Sequence, residues 1–170
     1  MVICSDTSFL FSLYGNDGNT ARAIKWVKDE KKILTVTSFN EYELGNALRF
    51  AEFRKAIASG EAAVFWAQYE LDKDNGRIVV EVCNLALVLD EARRLSVTHT
   101  FTGGHRGFDI LHVAAALQLG AEVLLTFDAN QRTLARAEGL VVPQIRRDRQ
   151  IIKKLPLPQF PLDYAIMRHA

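Results

Sequence analysis

Neither sign of charge dominates this chain: 21 lysines and arginines face 20 aspartates and glutamates, a formal net charge of +1. No overall field gathers nucleic acid or an anionic membrane, so any basic recognition surface has to be local. Cysteine is scarce as well. Cys4 and Cys83, the only two, lie apart within apolar runs, with no CxxC spacing and no paired histidines. That excludes a disulfide framework or a thiolate zinc site and fits small buried residues in a reducing compartment. No cationic leader precedes the apolar N-terminus, which Asp6 soon interrupts, and no apolar run is long enough to span a bilayer. The expectation is a cytoplasmic protein without membrane association. Repeats are lacking too. What remains is 170 residues, 49% of them apolar, enough for one domain that buries about two-thirds of its unfolded surface.

The stretch Gly107 to Asp128, GFDILHVAAALQLGAEVLLTFD, organises the reading. Ile110, Leu111, Val113, Ala114 and Leu117 recur at helical spacing, Gly120 ends the helix, and Glu122 to Thr126 is a short buried strand. A helix rising about 1.5 Å per residue and a strand returning about 3.3 Å per residue bring Asp109 and Asp128 side by side. Elsewhere the same alternation holds. Strands are expected at Val2 to Ser5, Ile33 to Thr37, Ile78 to Val80 and Leu140 to Val142. Helices are expected at Phe9 to Tyr14, from Thr20 to the lysines 28–32, from Ser38 through Phe53, at Glu61 to Leu71, at Leu85 to Leu95 and at Asn130 to Glu138. His99 to Gly107 reads as a loop. The expected fold is α/β with three layers, a parallel sheet of about five strands and helices on both faces. The domain covers residues 1–143. Residues 144–170 form a basic, proline-containing extension in which Arg146, Arg147, Arg149, Lys153 and Lys154 precede Pro156, Pro158 and Pro161, read first as a solvated segment and second as a nucleic-acid arm.

Acids recur just after the strands or in the first turn of a neighbouring helix. Asp6 ends the first strand, Glu43 lies one turn into the helix after the second, Asp109 starts the helix before the fourth, and Asp128 follows that strand. All project toward the sheet edge where ligands bind in open α/β folds. Crowded carboxylates resist shared ionisation unless a cation sits among them, and an all-oxygen set suits Mg²⁺ or Mn²⁺. The implied chemistry is metal-assisted hydrolysis of a phosphodiester. Asp6, Asp109 and Asp128 each also have the plainer reading of a helix cap or a macrodipole partner. On the helix wheel, Glu41 and Glu43 both flank the Leu44, Leu48, Ala51 stripe, so the pattern does not choose between them.

The segments SDTSFL at Asp6, NEYELGNAL at Glu43, GFDILHVAAAL at Asp109 and LLTFDANQRTLA at Asp128 resemble, in order and spacing, the PIN-domain nucleases, most closely the VapC-type toxins of toxin–antitoxin pairs. The resemblance covers residues 2–143. It implies a metal-dependent endoribonuclease, usually a homodimer, restrained by a small antitoxin protein whose tail covers the acidic pocket. It also implies that Asp6, Glu43 and Asp109 are metal-binding acids, with Asp128 the fourth, and that Ser8 and Thr126 support them by hydrogen bonding. His105 and Arg106, in the loop before Asp109, are candidate RNA contacts. His112, one turn after Asp109, reads first as a half-buried helix histidine and second as a group acting through the acids. Arg132 and Arg136, one helical turn apart, read first as solvated and second as a stripe toward RNA, and Trp26 and Trp66 read as core or dimer contacts before base-stacking platforms. The alternatives are a PIN-like nuclease of RNA maturation or single-stranded DNA, and a binding module that cuts nothing.

Overall fold

Parallel strands of three residues each, joined by helical crossovers, build the molecule. The computed structural model describes residues 1–145; the basic run and the prolines that follow it lie outside the described residues. The order is β1 (Ile3–Ser5), α1 (Thr7–Tyr14), α2 (Thr20–Glu30), β2 (Leu34–Val36), α3 (Ser38–Phe53), α4 (Glu61–Asp74), β3 (Ile78–Val80), α5 (Leu85–Gly103), α6 (Gly107–Gln118), β4 (Val123–Leu125) and α7 (Ala129–Ala137). The sheet order is β3-β2-β1-β4, all parallel, with Cys4 opposite both Thr35 and Leu124. The expected fifth strand is reduced to a single parallel bridge between Val123 and Val141. Val141 N–H donates to Glu122 and its carbonyl accepts from Leu124, but Pro143 has no N–H with which to extend the ladder.

Side-chain alternation divides the core between the two faces of the sheet. Ile3, Leu34, Val36 and Leu125 point to one side, against Phe9, Leu10 and Tyr14 of α1, Ala23 of α2, Leu44 and Leu48 of α3 and Tyr69 of α4. Cys4 and Leu124 point to the other, against Val88 and Leu95 of α5, Ile110, Val113, Ala114, Ala115 and Ala116 of α6 and Leu134 and Ala135 of α7. Three layers result. Trp26 and Trp66 pack against the first cluster, Trp26 edge-on to Phe9 at 5.9 Å and Trp66 beside Tyr69 at 5.1 Å. Among the described residues no helix is long and apolar enough to cross a membrane.

The largest departure from the sequence pattern is α5. His99 to Gly107, rich in glycine, threonine and histidine, reads as a loop, yet α5 continues to Gly103. Tertiary contacts override propensity here. Leu95 is fully buried, and Glu138, just past α7, receives both Arg94 and His99, with His99 Nε2 at 2.6 Å. Gly104, at φ +63, supplies the left-handed residue that stops the helix. The real loop before α6 is therefore only three residues.

The Arg94 hydrogen bond, opposed by partial burial and reinforced by His99, holds the Glu138 carboxyl below its ordinary range. A carboxyl depressed in the folded state contributes stability that is complete above its unfolded pKa, about 4.3, and is lost as pH falls through the folded value. Glu138→Gln is expected to cost about 1 kcal/mol at neutral pH. In thermal melts, the difference from wild type should shrink as the solution is acidified below about pH 4.

Candidate active site

The strand order makes the chain leave β1 and β4 on opposite faces, and the crevice at their carboxyl ends is the switch point of the sheet. Asp6 follows β1 directly. Its N–H continues the ladder to the Leu125 carbonyl at 3.0 Å, and its side chain caps α1 by accepting from Phe9 N–H at 2.8 Å. The plain capping role is thus real but incomplete. Ser8 Oγ donates to the Asp6 carboxylate at 2.8 Å and Thr126 Oγ1 at 2.6 Å. These two hydroxyls also accept the backbone N–H groups of Phe127 and Asp128, each at 2.9 Å. With one hydrogen per hydroxyl, that hydrogen is directed at Asp6.

Asp6 is 2% exposed. Burial pushes its carboxyl up to about 6, and the bonds from Thr126, Phe9 and Ser8 oppose that rise without cancelling it. Glu43 shows the opposite balance. Burial again raises it, but hydrogen bonds from His112 and Thr7 outweigh burial and leave it lowered. His112 Nε2 stands 2.6 Å from Glu43 Oε2 and the Thr7 hydroxyl donates to the same oxygen. Glu41 turns away, to Lys73 Nζ at 2.9 Å and Tyr69 OH at 3.2 Å on α4. The geometry thereby separates two glutamates that the helix wheel could not.

Asp109 and Asp128 meet through a shared cation. Arg106 approaches Asp109 at 3.4 Å and Asp128 at 3.5 Å, although its side chain is 75% exposed. Asp128 also caps α7 through Gln131 N–H at 2.9 Å, and the Gln131 amide donates to the Asp109 carbonyl at 3.3 Å. Asp6, Glu43, Asp109 and Asp128 all line one open cleft of about 700 Å³, together with Thr7, Ser8, Arg106, His112 and Gln131. Asp17, in the turn after α1, adds a carboxylate to the same rim and is tied down by Ser12 at 2.7 Å. His105 is absent from this lining. It is 8% exposed and its ring covers Gly103, where a Cβ would collide with it, so burial removes the imidazole from reach of a phosphate and leaves Arg106 as the loop's candidate. A larger depression, about 1190 Å³, lies between α3 and α4, but Glu52 there accepts Gly60 and Ala62 N–H groups instead of converging with other acids.

A family model described as PIN domain matches residues 3–137. The chain belongs to the PIN-domain family. Among solved structures, this PIN domain is similar to VapC20 from Mycobacterium tuberculosis, described as a sarcin–ricin loop cleaving toxin, at 21% identity and TM-score 0.61 over 82% of this chain and 96% of that one. PAE2754 from Pyrobaculum aerophilum shares 26% identity at TM-score 0.52, over 84% of this chain and 83% of its own. VapBC-1 from nontypeable Haemophilus influenzae shares 16% at TM-score 0.57, over 85% and 98%. No curated protein sequence matches significantly.

Sequence reasoning missed the reach of Thr7, Asn40 and Gln131, and ranked His112 as an ordinary helix residue. Thr7 stood in plain view inside the Asp6-Thr-Ser8 cap. The partners of Asn40 and His112, in contrast, lie 35 and 69 positions away in the chain, beyond any local pattern.

The raised Asp6 carboxyl makes the stability of the fold depend on pH. A group raised in the folded state favours folding fully below its unfolded value, near 3.8, and that contribution is lost as pH rises through about 6. Asp6→Asn is therefore expected to stabilise the chelator-treated protein at neutral pH by about 1–3 kcal/mol, several degrees in thermal midpoint. The gain should vanish in melts run in acid. A neutral-pH midpoint at or below that of wild type would contradict the electrostatic account of this site.

Proposed function

We propose that this PIN domain is a metal-dependent endoribonuclease, the toxin of a type II toxin–antitoxin system, hydrolysing RNA phosphodiesters with water as the nucleophile. The observation that carries the reading is the convergence of Asp6, Glu43, Asp109 and Asp128 on one cleft at the switch point of the sheet. The donor set is all oxygen, with no thiolate, and fits Mg²⁺ or Mn²⁺ in kind. Among the described residues, no three of His, Cys, Asp and Glu are already gathered closely enough to hold an ion. Asp109 and Asp128 would first have to turn from Arg106, an exposed pairing of about 0–1 kcal/mol that a divalent ion can displace.

When bound, the ion supplies a water of lowered pKa and neutralises charge developing at the scissile phosphate. The chain's own residues do the rest. Asp6 is immobilised by Ser8, Thr126 and Phe9, and Glu43 by Thr7 and His112, so these two enter the site with little rotamer freedom left to lose. Arg106, once released, is placed at the rim to grip a phosphate oxygen of the substrate. Similarity to VapC20 and VapBC-1 supports the toxin reading and a small antitoxin as partner. A homodimer belongs to the same reading, and Val97 and Phe101 on α5, 79% and 100% exposed, offer apolar surface for protein contact. A cytoplasmic site of action goes with an RNA target.

The test is purification with the product of the adjacent gene, then digestion of total RNA with added Mn²⁺ and mapping of the ends. Products should carry 5′-phosphate and 3′-hydroxyl ends. A 2′,3′-cyclic phosphate would mean that the ribose hydroxyl attacked, and would overturn the mechanism. Expression alone should arrest growth and co-expression of the neighbour should relieve it; a harmless product would point to RNA maturation or DNA instead. Asp109→Asn and Glu43→Gln should each lower cleavage by at least about 100-fold with the fold intact, whereas Glu41→Gln, whose side chain serves Lys73 and Tyr69, should retain it. Equal activity in the two glutamate variants would withdraw Glu43.

A further inference from the structure

The side-chain amide of Asn40 is oriented by backbone at both ends. Its Oδ1 accepts the Thr37 N–H at 2.8 Å and the Thr37 hydroxyl at 2.9 Å, while Nδ2 donates to the Ser5 carbonyl at 3.0 Å. Turning the amide over would set N–H against NH₂ and carbonyl against carbonyl, so its direction is determined. The second hydrogen of Nδ2 then faces His112 Nδ1, 3.3 Å away. A hydrogen arriving there requires a lone pair on Nδ1, which puts the ring proton on Nε2. From Nε2 two oxygens are in reach: Glu43 Oε2 at 2.6 Å and Thr7 Oγ1 at 3.3 Å. The Thr7 hydroxyl itself donates to Glu43 Oε2, so the short bond is His112 N–H to carboxylate. Asn40 and His112 are 3% and 6% exposed, which keeps water from substituting for either partner.

We propose that Asn40 and His112 are positioning residues: the backbone at the ends of β1 and β2 selects the Nε2–H tautomer of His112, and through it fixes the rotamer of Glu43. Oε2 is thereby committed to the protein, and Oε1, which has no hydrogen-bond partner among the described residues, is the atom left for a divalent cation. This assignment of Oε1 rests on the metal-dependent reading above, whereas the tautomer does not. A histidine that merely filled the core would need neither a defined tautomer nor a bond to an acid of the cleft.

The full chain labelled with ¹⁵N at histidine, free of metal, gives the tautomer directly through long-range proton–nitrogen correlations. In the neutral ring of His112 the single proton should sit on Nε2; a neutral ring protonated at Nδ1 overturns the proposal. In Asn40→Ala the selection should fail and an Nδ1–H population should appear. Calorimetric titration with Mn²⁺ then reads the consequence. His112→Phe should weaken binding about 10- to 100-fold, and His112→Gln, whose amide can still donate toward Oε2, should recover part of that loss. Should His112→Phe fail to fold by circular dichroism, Asn40→Ala and His112→Gln carry the comparison. Wild-type affinity in folded His112→Phe, or in both of the other two variants, sinks the positioning role. If the wild-type protein itself binds no Mn²⁺, the nuclease reading falls with the assignment of Oε1, while the nitrogen spectra still decide the tautomer.

Discussion

A carboxylate buried at the end of a central strand, and answered by hydroxyls instead of a lysine or arginine, is the constraint around which this molecule is built. Asp6 sits at 2% exposure, where an ionised carboxyl without partners would cost several kcal/mol. Each compensating group performs a second task. Phe9 N–H starts α1, and Ser8 and Thr126 tie down the turn between β4 and α7. Removing the charge would relax the electrostatics, and removing a hydroxyl would strand a buried donor. The arrangement is therefore one in which the acid costs stability but its supports also organise the fold, the usual signature of a site shaped for a ligand more than for stability.

The acids differ in how firmly they are held, and the difference follows the burial of the groups that hold them. Asp6 and Glu43 are gripped by short bonds from groups at most 8% exposed: Thr126, Thr7 and His112. Asp109 and Asp128 lean across 3.4 and 3.5 Å on Arg106, whose own side chain is 75% exposed, so water and salt leave about 0–1 kcal/mol. One half of the cleft is thus rigid and the other exchangeable. On the proposed metal-dependent reading, Asp6 and Glu43 would be the fixed ligands of a divalent cation, and Asp109 and Asp128 would turn toward it from Arg106. That division of labour needs no large motion of the backbone.

Local patterns carried far where the physics is local. Caps, the apolar stripe of α6 and the stop at Gly120 are written within one or two turns, so the placement of Asp6, Asp109 and Asp128 near a common edge followed from spacing alone. The pattern failed where a distant partner decides. His99 to Gly103 is helical because Glu138, just past α7, anchors Arg94 and His99. Glu43, and not Glu41, faces the cleft because α4 presents Lys73 and Tyr69 on the other flank. His112 looked like one more residue on a buried face, since neither Asn40 nor Glu43 is near it in the chain. Pattern also overstated the sheet, counting Leu140 to Val142 as a strand when Pro143 confines it to one bridge.

The position of the cleft follows from strand order and not from any single motif. From β1 the chain enters α1, which packs through Phe9, Leu10 and Tyr14 on one face; from β4 it enters α7, which packs through Leu134 and Ala135 on the other. Neighbouring strands that send their helices to opposite faces leave a gap between the departing loops. Asp6 and Asp128 stand on its two lips because each is the cap of its diverging helix. A cap must lie at a helix N-terminus, where unpaired N–H groups favour negative charge, and here two such termini flank one crevice. Local helix chemistry alone would accept serine or asparagine at both positions. Ionisable aspartate at each, joined by Glu43 and Asp109 from two further helices, supplies negative charge well beyond what capping requires.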